Sequence, residues 1–137
     1  MKNLLNDKNY KISVIMSVFN DEYYLPYSIE SILNQTYTNF EFIIINDGST
    51  DSTKNILDLY AKKDKRIKVF NQKNHGLTKS LNTATNYAKN NWIARIDSDD
   101  MCEPNRISKQ VNFISSSNNK KICLVASSWI SIDHYGN

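Results

Sequence analysis

The sequence predicts an α/β domain of three layers, α/β/α, built on a mostly parallel sheet. Three observations point there. Short, β-branched apolar runs recur along the chain, each is followed by apolar residues at helical spacing, and polar clusters break the chain directly after the runs. At 137 residues the chain has material for one domain with a core, residues 1–137, and too little for a second.

The elements follow in order. Ile12 to Val18 is nearly all apolar, as in a strand buried on both faces of a parallel sheet, and it ends near Phe19. Leu25, Ile29, Ile32 and Leu33 then recur at i, i+4, i+7 and i+8, a helical stripe expected to stop around Gln35, with Asn20 or Asp21 placed to cap its start. Phe40 to Ile45 is a second strand, interrupted by Asn46, Asp47 and Gly48, and beyond Thr53 a second helix carries Ile56, Leu57 and Tyr60. Ile67 to Phe70 is a shorter third strand, and Leu77, Leu81, Ala84 and Ala88 mark a third helix after Gly76. Trp92 to Ile96 is a fourth strand, ended by Asp97-Ser98-Asp99-Asp100. Pro104 stands at the expected first position of a fourth helix whose face carries Ile107, Val111 and Ile114. After a Ser- and Asn-rich loop, Ile122 to Ala126 reads as a fifth strand. Such alternation implies βαβ units with right-handed crossovers, and it directs ligands to the carboxyl ends of the strands.

Composition narrows the function classes. Apolar residues at 40% and charged residues at 23% exclude a disordered or fibrous chain. Seventeen basic against fourteen acidic residues give a net charge of +3, but the lysines are spread without a cluster, which argues against a nucleic-acid partner. Cys102 and Cys123 lie far apart with no CxxC spacing, so they are expected to be reduced thiols rather than zinc ligands or a disulfide. The polar opening residues do not read as a signal peptide, and no run of eighteen apolar residues predicts a transmembrane segment. The expected location is cytoplasmic, with peripheral docking at the inner membrane face open to a longer protein. The only glycines are Gly48, Gly76 and Gly136, so neither GxGxxG nor GxxxxGK[ST] is present, and dinucleotide dehydrogenases and P-loop proteins are excluded.

Three polar groups follow the strands: Phe19-Asn20 after the first, Asp47-Gly48-Ser49 after the second and Asp97 to Asp100 after the fourth. Three carboxylates within four residues repel, and unit charges ~4 Å apart at an effective dielectric near 20 interact by roughly 4 kcal/mol. A bound cation would remove that cost. Hard carboxylate oxygens suit Mg²⁺ or Mn²⁺, which take one or two protein carboxylates and complete their shell with water and phosphate oxygens. An isolated DxDD would more simply be a solvated turn leading into a helix, but its place at the end of an apolar strand, beside two other polar strand ends, favours a site. For Asp47, an Asx turn or helix cap stands beside a contact to a base N–H or ribose hydroxyl. For Phe19, a core position stands beside a platform for a base, worth about 1–3 kcal/mol. Lys79, near the start of the third helix, fits a solvated surface or a phosphate contact. His75 reads as a loop residue, and Glu22 and His134 have no partner spacing that suggests catalysis.

These residues resemble the inverting GT-A glycosyltransferases of family 2. The resemblance runs through ISVIMSVFN (12–20), SILNQTY (31–37), FIIINDGSTD (42–51), NHGLTKSLN (74–82), IARIDSDD (93–100) and PNRISKQ (104–110), in that order. It implies a GT-A fold in which Asp97-Ser98-Asp99 is the DxD motif, Asp99 the direct metal ligand and Asp97 directed to the ribose or the metal. It further implies that Asp47 contacts the base, that Phe19, where many relatives have Tyr, stacks on it, and that Asn20 helps shape the pocket. The implied donor is a nucleotide-diphosphate sugar, a UDP-sugar, and the acceptor a saccharide or glycolipid. The family's general base, an Asp or Glu, comes from an acceptor-binding region C-terminal to these residues, so the chain is expected to be truncated before it and none of residues 1–137 is assigned as the base. A different class remains beside this one: a noncatalytic α/β module that binds a nucleotide through Mg²⁺ for regulation or assembly.

Overall fold

Seven consecutive buried residues, Ile12–Val18, form β1 at the middle of the molecule. The computed structural model describes residues 10–117, 122–128 and 130–132. Along them run β1, α1 (Leu25–Leu33), β2 (Phe40–Asn46), α2 (Thr53–Lys63), β3 (Ile67–Asn71), α3 (Leu77–Tyr87), β4 (Trp92–Arg95) and α4 (Arg106–Ser116). The four strands pair in parallel in the order β3-β2-β1-β4.

The two-residue period of a strand sorts the side chains onto two faces. Val14, Met16 and Val18 of β1 join Phe42 and Ile44 of β2, Leu25, Ile29 and Ile32 of α1, Leu57 of α2, and Ile107 and Val111 of α4 in the larger core. Ile15, Ile43 and Ile45 face the other way, against Ala84 and Leu81 of α3. The result is three layers. The chain direction explains the split: β1 to β3 step toward one edge with α1 and α2 on one face, and β4 then returns to the far side of β1, which a right-handed crossover allows only with α3 on the opposite face. Leu25, Ile29 and Ile32 are fully buried, and each side chain so removed from water contributes roughly 1.5–3 kcal/mol.

A polar knot secures the amino-terminal end of the sheet on the α3 face. Glu41 accepts hydrogen bonds from Ser13 Oγ (2.8 Å) and the Lys89 backbone N–H (2.8 Å), and pairs with Lys68 Nζ at 2.5 Å. Burial pushes the Glu41 pKa up, but the bonds from Lys68, Lys89 and Ser13 outweigh it and hold the carboxyl below its usual value.

Several sequence expectations are corrected. Ile122 to Ala126 is not a strand: Cys123, Leu124 and Val125 border a groove beside Trp92, Ile107 and Val111, where Gln110 Nε2 makes a long hydrogen bond to the Val125 carbonyl (3.5 Å). Apolar, β-branched composition marks a strand only where a ladder partner forms, and none forms for this segment among the described residues. Neither Asn20 nor Asp21 caps α1 with its side chain; Tyr24 occupies the cap without a side-chain hydrogen bond, and Asp21 contributes only its carbonyl, accepting from Leu25 N–H. Pro104 lies in a turn before α4, whose cap is Asn105.

Candidate nucleotide-sugar site

All four strands point the same way, so the residues after β1, β2 and β4 emerge on one edge. Successive strands lie about 4.8 Å apart, so β2 and β4 run about 10 Å from each other on either side of β1.

The loops after β1 and β2 are joined by a series of short contacts. Asn20 takes a left-handed backbone (φ 53°), which Asn tolerates better than most residues, and from there its Oδ1 accepts from the Thr50 N–H (2.7 Å) while its own N–H donates to Ser49 Oγ (3.0 Å). Asp21 N–H donates to Thr53 Oγ1, Glu22 N–H to Asp51, and Ser52 N–H to Glu22. Two carboxylates therefore stand at the start of α2, where they meet its unpaired N–H groups and favourable dipole. Between these loops Phe19 keeps 49% of its surface exposed, so it is not a core residue. Its open ring is available to stack.

Asp47 is only 2% exposed. Its Oδ1 accepts from Gln72 Nε2 (2.7 Å) and the His75 N–H (2.9 Å), and its Oδ2 from the Gly76 N–H (2.8 Å). Burial raises its pKa, but these donors prevail and the carboxyl stays below its usual range. The Asx turn here belongs to Asn46, which accepts from Ser49 N–H, and the cap-like bond to Thr53 N–H belongs to Asp51. Asp47 instead ties the end of β2 to the loop before α3. That loop delivers Lys79 to the first turn of α3, where it is exposed.

After β4, Asp97 receives two hydrogen bonds from the Arg95 guanidinium, Nε to Oδ1 and Nη2 to Oδ2, both 2.9 Å. Asp100 N–H closes a turn on the Asp97 carbonyl (3.2 Å), and Asp99 and Asp100 lie exposed at the rim. Partial desolvation, then the charges of Asp99 and Asp97, raise the Asp100 pKa. The carboxylates thus crowd one another as their spacing implies. Among the described residues no three His, Cys, Asp or Glu side chains enclose a ready-made metal site. The donor set fits Mg²⁺ or Mn²⁺ only in the open manner, with one or two carboxylates from the chain and the remaining oxygens from water and a diphosphate.

Sequence reasoning missed the residues that hold this acidic loop. Ser28 of α1 lies 2.6 Å from both the Ser98 and Asp100 carbonyls and shares its proton between them, while Ser31 Oγ accepts from Cys102 N–H (3.1 Å). The buried Gln35 donates to the Glu103 carbonyl (2.7 Å) and accepts from the Ile107 N–H (3.0 Å). The signal was present: Ser28 and Gln35 stand three residues after Leu25 and Ile32, within the apolar stripe of the helix, where an unpartnered polar group would be costly. Cys102 is a free thiol, as expected, and accepts from Arg106 Nη1 (2.9 Å); Cys123 is likewise free. His134 lies outside the described residues.

A parallel sheet with helices on both faces and an acidic loop after the strand beyond its reversal point defines a GT-A domain, and solved structures agree. The fold matches S. aureus TarS, in crystal structures with UDP and with UDP-GlcNAc, at TM-scores of 0.71 and 0.72 and 30% identity, covering 77% of this chain. It matches a mannosyltransferase of Pyrobaculum calidifontis, solved with GDP-Man and Mn²⁺, at a TM-score of 0.72 and 19% identity over 79% of this chain, a likeness of fold alone. An uncharacterized glycosyltransferase of Haemophilus influenzae is 45% identical over 104 residues, 75% of this chain. Residues 13–129 match the family described as Glycosyl transferase family 2, and the chain belongs to that family. It spans 32% of the Haemophilus protein, 34% of the mannosyltransferase, and 32% or 31% of a TarS fragment of residues 1–349 but 19% of the longer TarS chain. Among the described residues no helix is long and apolar enough to cross a membrane.

Proposed function

We propose that the chain is the donor-binding part of a glycosyltransferase that moves a sugar from a UDP-sugar to an acceptor hydroxyl with inversion, using Mg²⁺ or Mn²⁺. The observation that carries this reading is the meeting of Phe19, Asn20, Asp47 and the Asp97-Ser98-Asp99 loop on one edge of a family 2 domain. The solved complexes of TarS with UDP and UDP-GlcNAc support a uridine donor.

In this reading Phe19 stacks on the uracil, Asp47 contacts the base, and Asn20 helps shape the pocket by joining the loops after β1 and β2. Asp99, with Asp97, would hold the ion, which supplies positive charge to the leaving diphosphate when bound. Lys79 adds a cation toward the phosphates. The acceptor's proton goes to an Asp or Glu base of the acceptor-binding region that the family resemblance sets C-terminal to these residues. The acceptor is a saccharide or glycolipid in cell-surface polysaccharide or glycoconjugate synthesis, which agrees with a cytoplasmic protein peripheral to the inner membrane face.

Calorimetric titration of the chain with UDP, with and without Mn²⁺, tests the reading. UDP is expected to bind in a Mn²⁺-dependent way, and Asp99→Ala is expected to weaken it at least tenfold. Equal affinity with and without the ion would remove the metal. Metal-dependent binding without transfer in the longer protein would instead identify a noncatalytic nucleotide module.

A further inference from the structure

We infer that Arg95 is a resident counter-cation for the acidic loop, seated on Asp97 until the metal and nucleotide together displace it; the inference rests on the metal site proposed above. Residues i and i+2 of a strand share a face, so Arg95 at the end of β4 and Asp97 just beyond it project to the same side, and the guanidinium fork meets the carboxylate at two points of 2.9 Å. That contact occupies both oxygens of a proposed metal ligand.

The surroundings balance the loop in the same way. Arg106 Nη2 donates to the Arg95 carbonyl (2.9 Å) and its Nη1 to Cys102 Sγ (2.9 Å), so a second guanidinium bridges the two ends of this loop. Two arginines thus stand beside three aspartates in the free chain. A divalent ion arriving with its diphosphate sets its own two positive charges against the carboxylates, and it would compete with Arg95 for the Asp97 oxygens. The latch is weak enough to open, because both side chains are about half exposed, 51% for Arg95 and 40% for Asp97, and exposed pairs contribute little.

The test compares Mn²⁺ affinity at saturating UDP in the wild-type chain, Arg95→Gln and Arg95→Lys. Loss of an exposed pair corresponds to about a two- to fivefold change, so Arg95→Gln is expected to bind Mn²⁺ more tightly by that factor. Arg95→Lys retains the charge but loses the two-point fork, and an intermediate gain is expected. Should Arg95→Lys match the wild type while Arg95→Gln gains, simple charge repulsion explains the data and the latch is overturned. Unchanged or weaker binding in both variants overturns it as well. In the wild type, the Arg95 Nε–H resonance should move when Mg²⁺ and UDP are added together and stay in place with UDP alone. Mn²⁺-dependent UDP binding with a stationary Arg95 signal rejects the latch and leaves the site standing; absence of any metal dependence rejects both.

Discussion

Two single residues separate the frame of the site from its contacts. Phe19 is half exposed and touches the site edge without filling the core, so Phe19→Ala should cost UDP affinity by about 1–3 kcal/mol, roughly 5- to 150-fold, with little change in stability. Phe19→Tyr should bind as the wild type does, and paired UDP titrations and urea melts would check both. Gly48 behaves oppositely. Its φ is +80°, and a Cβ there would lie 2.8 Å from the Asn74 backbone nitrogen. Gly48→Ala should therefore destabilise the fold by about 2–5 kcal/mol, the left-handed cost added to an overlap that only backbone movement relieves. A melt within about 1 kcal/mol of the wild type would show that the loop yields easily. At this scale the sequence locates Asp97, Asp99 and Phe19 directly after their strands, because the apolar runs before them end abruptly. It conceals the work of Asp47, since the partners Gln72, His75 and Gly76 come from a loop whose approach depends on β3 pairing with β2.

Among elements, α1 has the widest reach. Its apolar stripe seats it on the sheet, and its Ser28 and Ser31, with Gln35 just past its end, carry the segment from Ser98 to Ile107. Replacing Gln35 by Leu keeps the volume but strands the Glu103 carbonyl and the Ile107 N–H, which should cost about 1–3 kcal/mol of stability. Because the acidic loop hangs from the same contacts, metal-dependent UDP affinity should fall in parallel at a temperature where the variant is fully folded. Stability loss with full affinity would mean the loop holds its shape without α1. Eight of the nine expected elements were legible, with strand limits that agree within a residue, because buried parallel strands concentrate Ile, Val and Phe and amphipathic helices repeat at 3.6. Ile122 to Ala126 escaped this logic. Its composition suits a strand, but edge pairing is decided by what lies beside β4 in space, and a local window carries no such information.

For the whole molecule, charge sets the response to acid. Glu41, Asp47, Asp51 and Asp64 all have lowered pKa values: Arg66 leads at Asp64, and at the other three hydrogen bonds overcome burial. A carboxylate held below its unfolded value adds stability above that value, near 4, and loses it as the pH falls through its folded pKa. Asp100 has the opposite sign, since its raised pKa means that protonation relieves the acidic loop. Four groups against one predict a fold most stable near neutrality whose urea midpoint drops between about pH 4 and pH 2. A midpoint that rose on acidification would make the Asp97 to Asp100 repulsion the dominant charge effect.

The hold of α1 on the acidic loop also bears on recombination. A chimera that takes residues 97–107 from one relative and 25–35 from another would join a cradle to a loop shaped for a different set of serines and amides. The two segments are more than sixty positions apart along the polymer, yet they hold each other's shape, and a chimera should keep its stability only when both travel together.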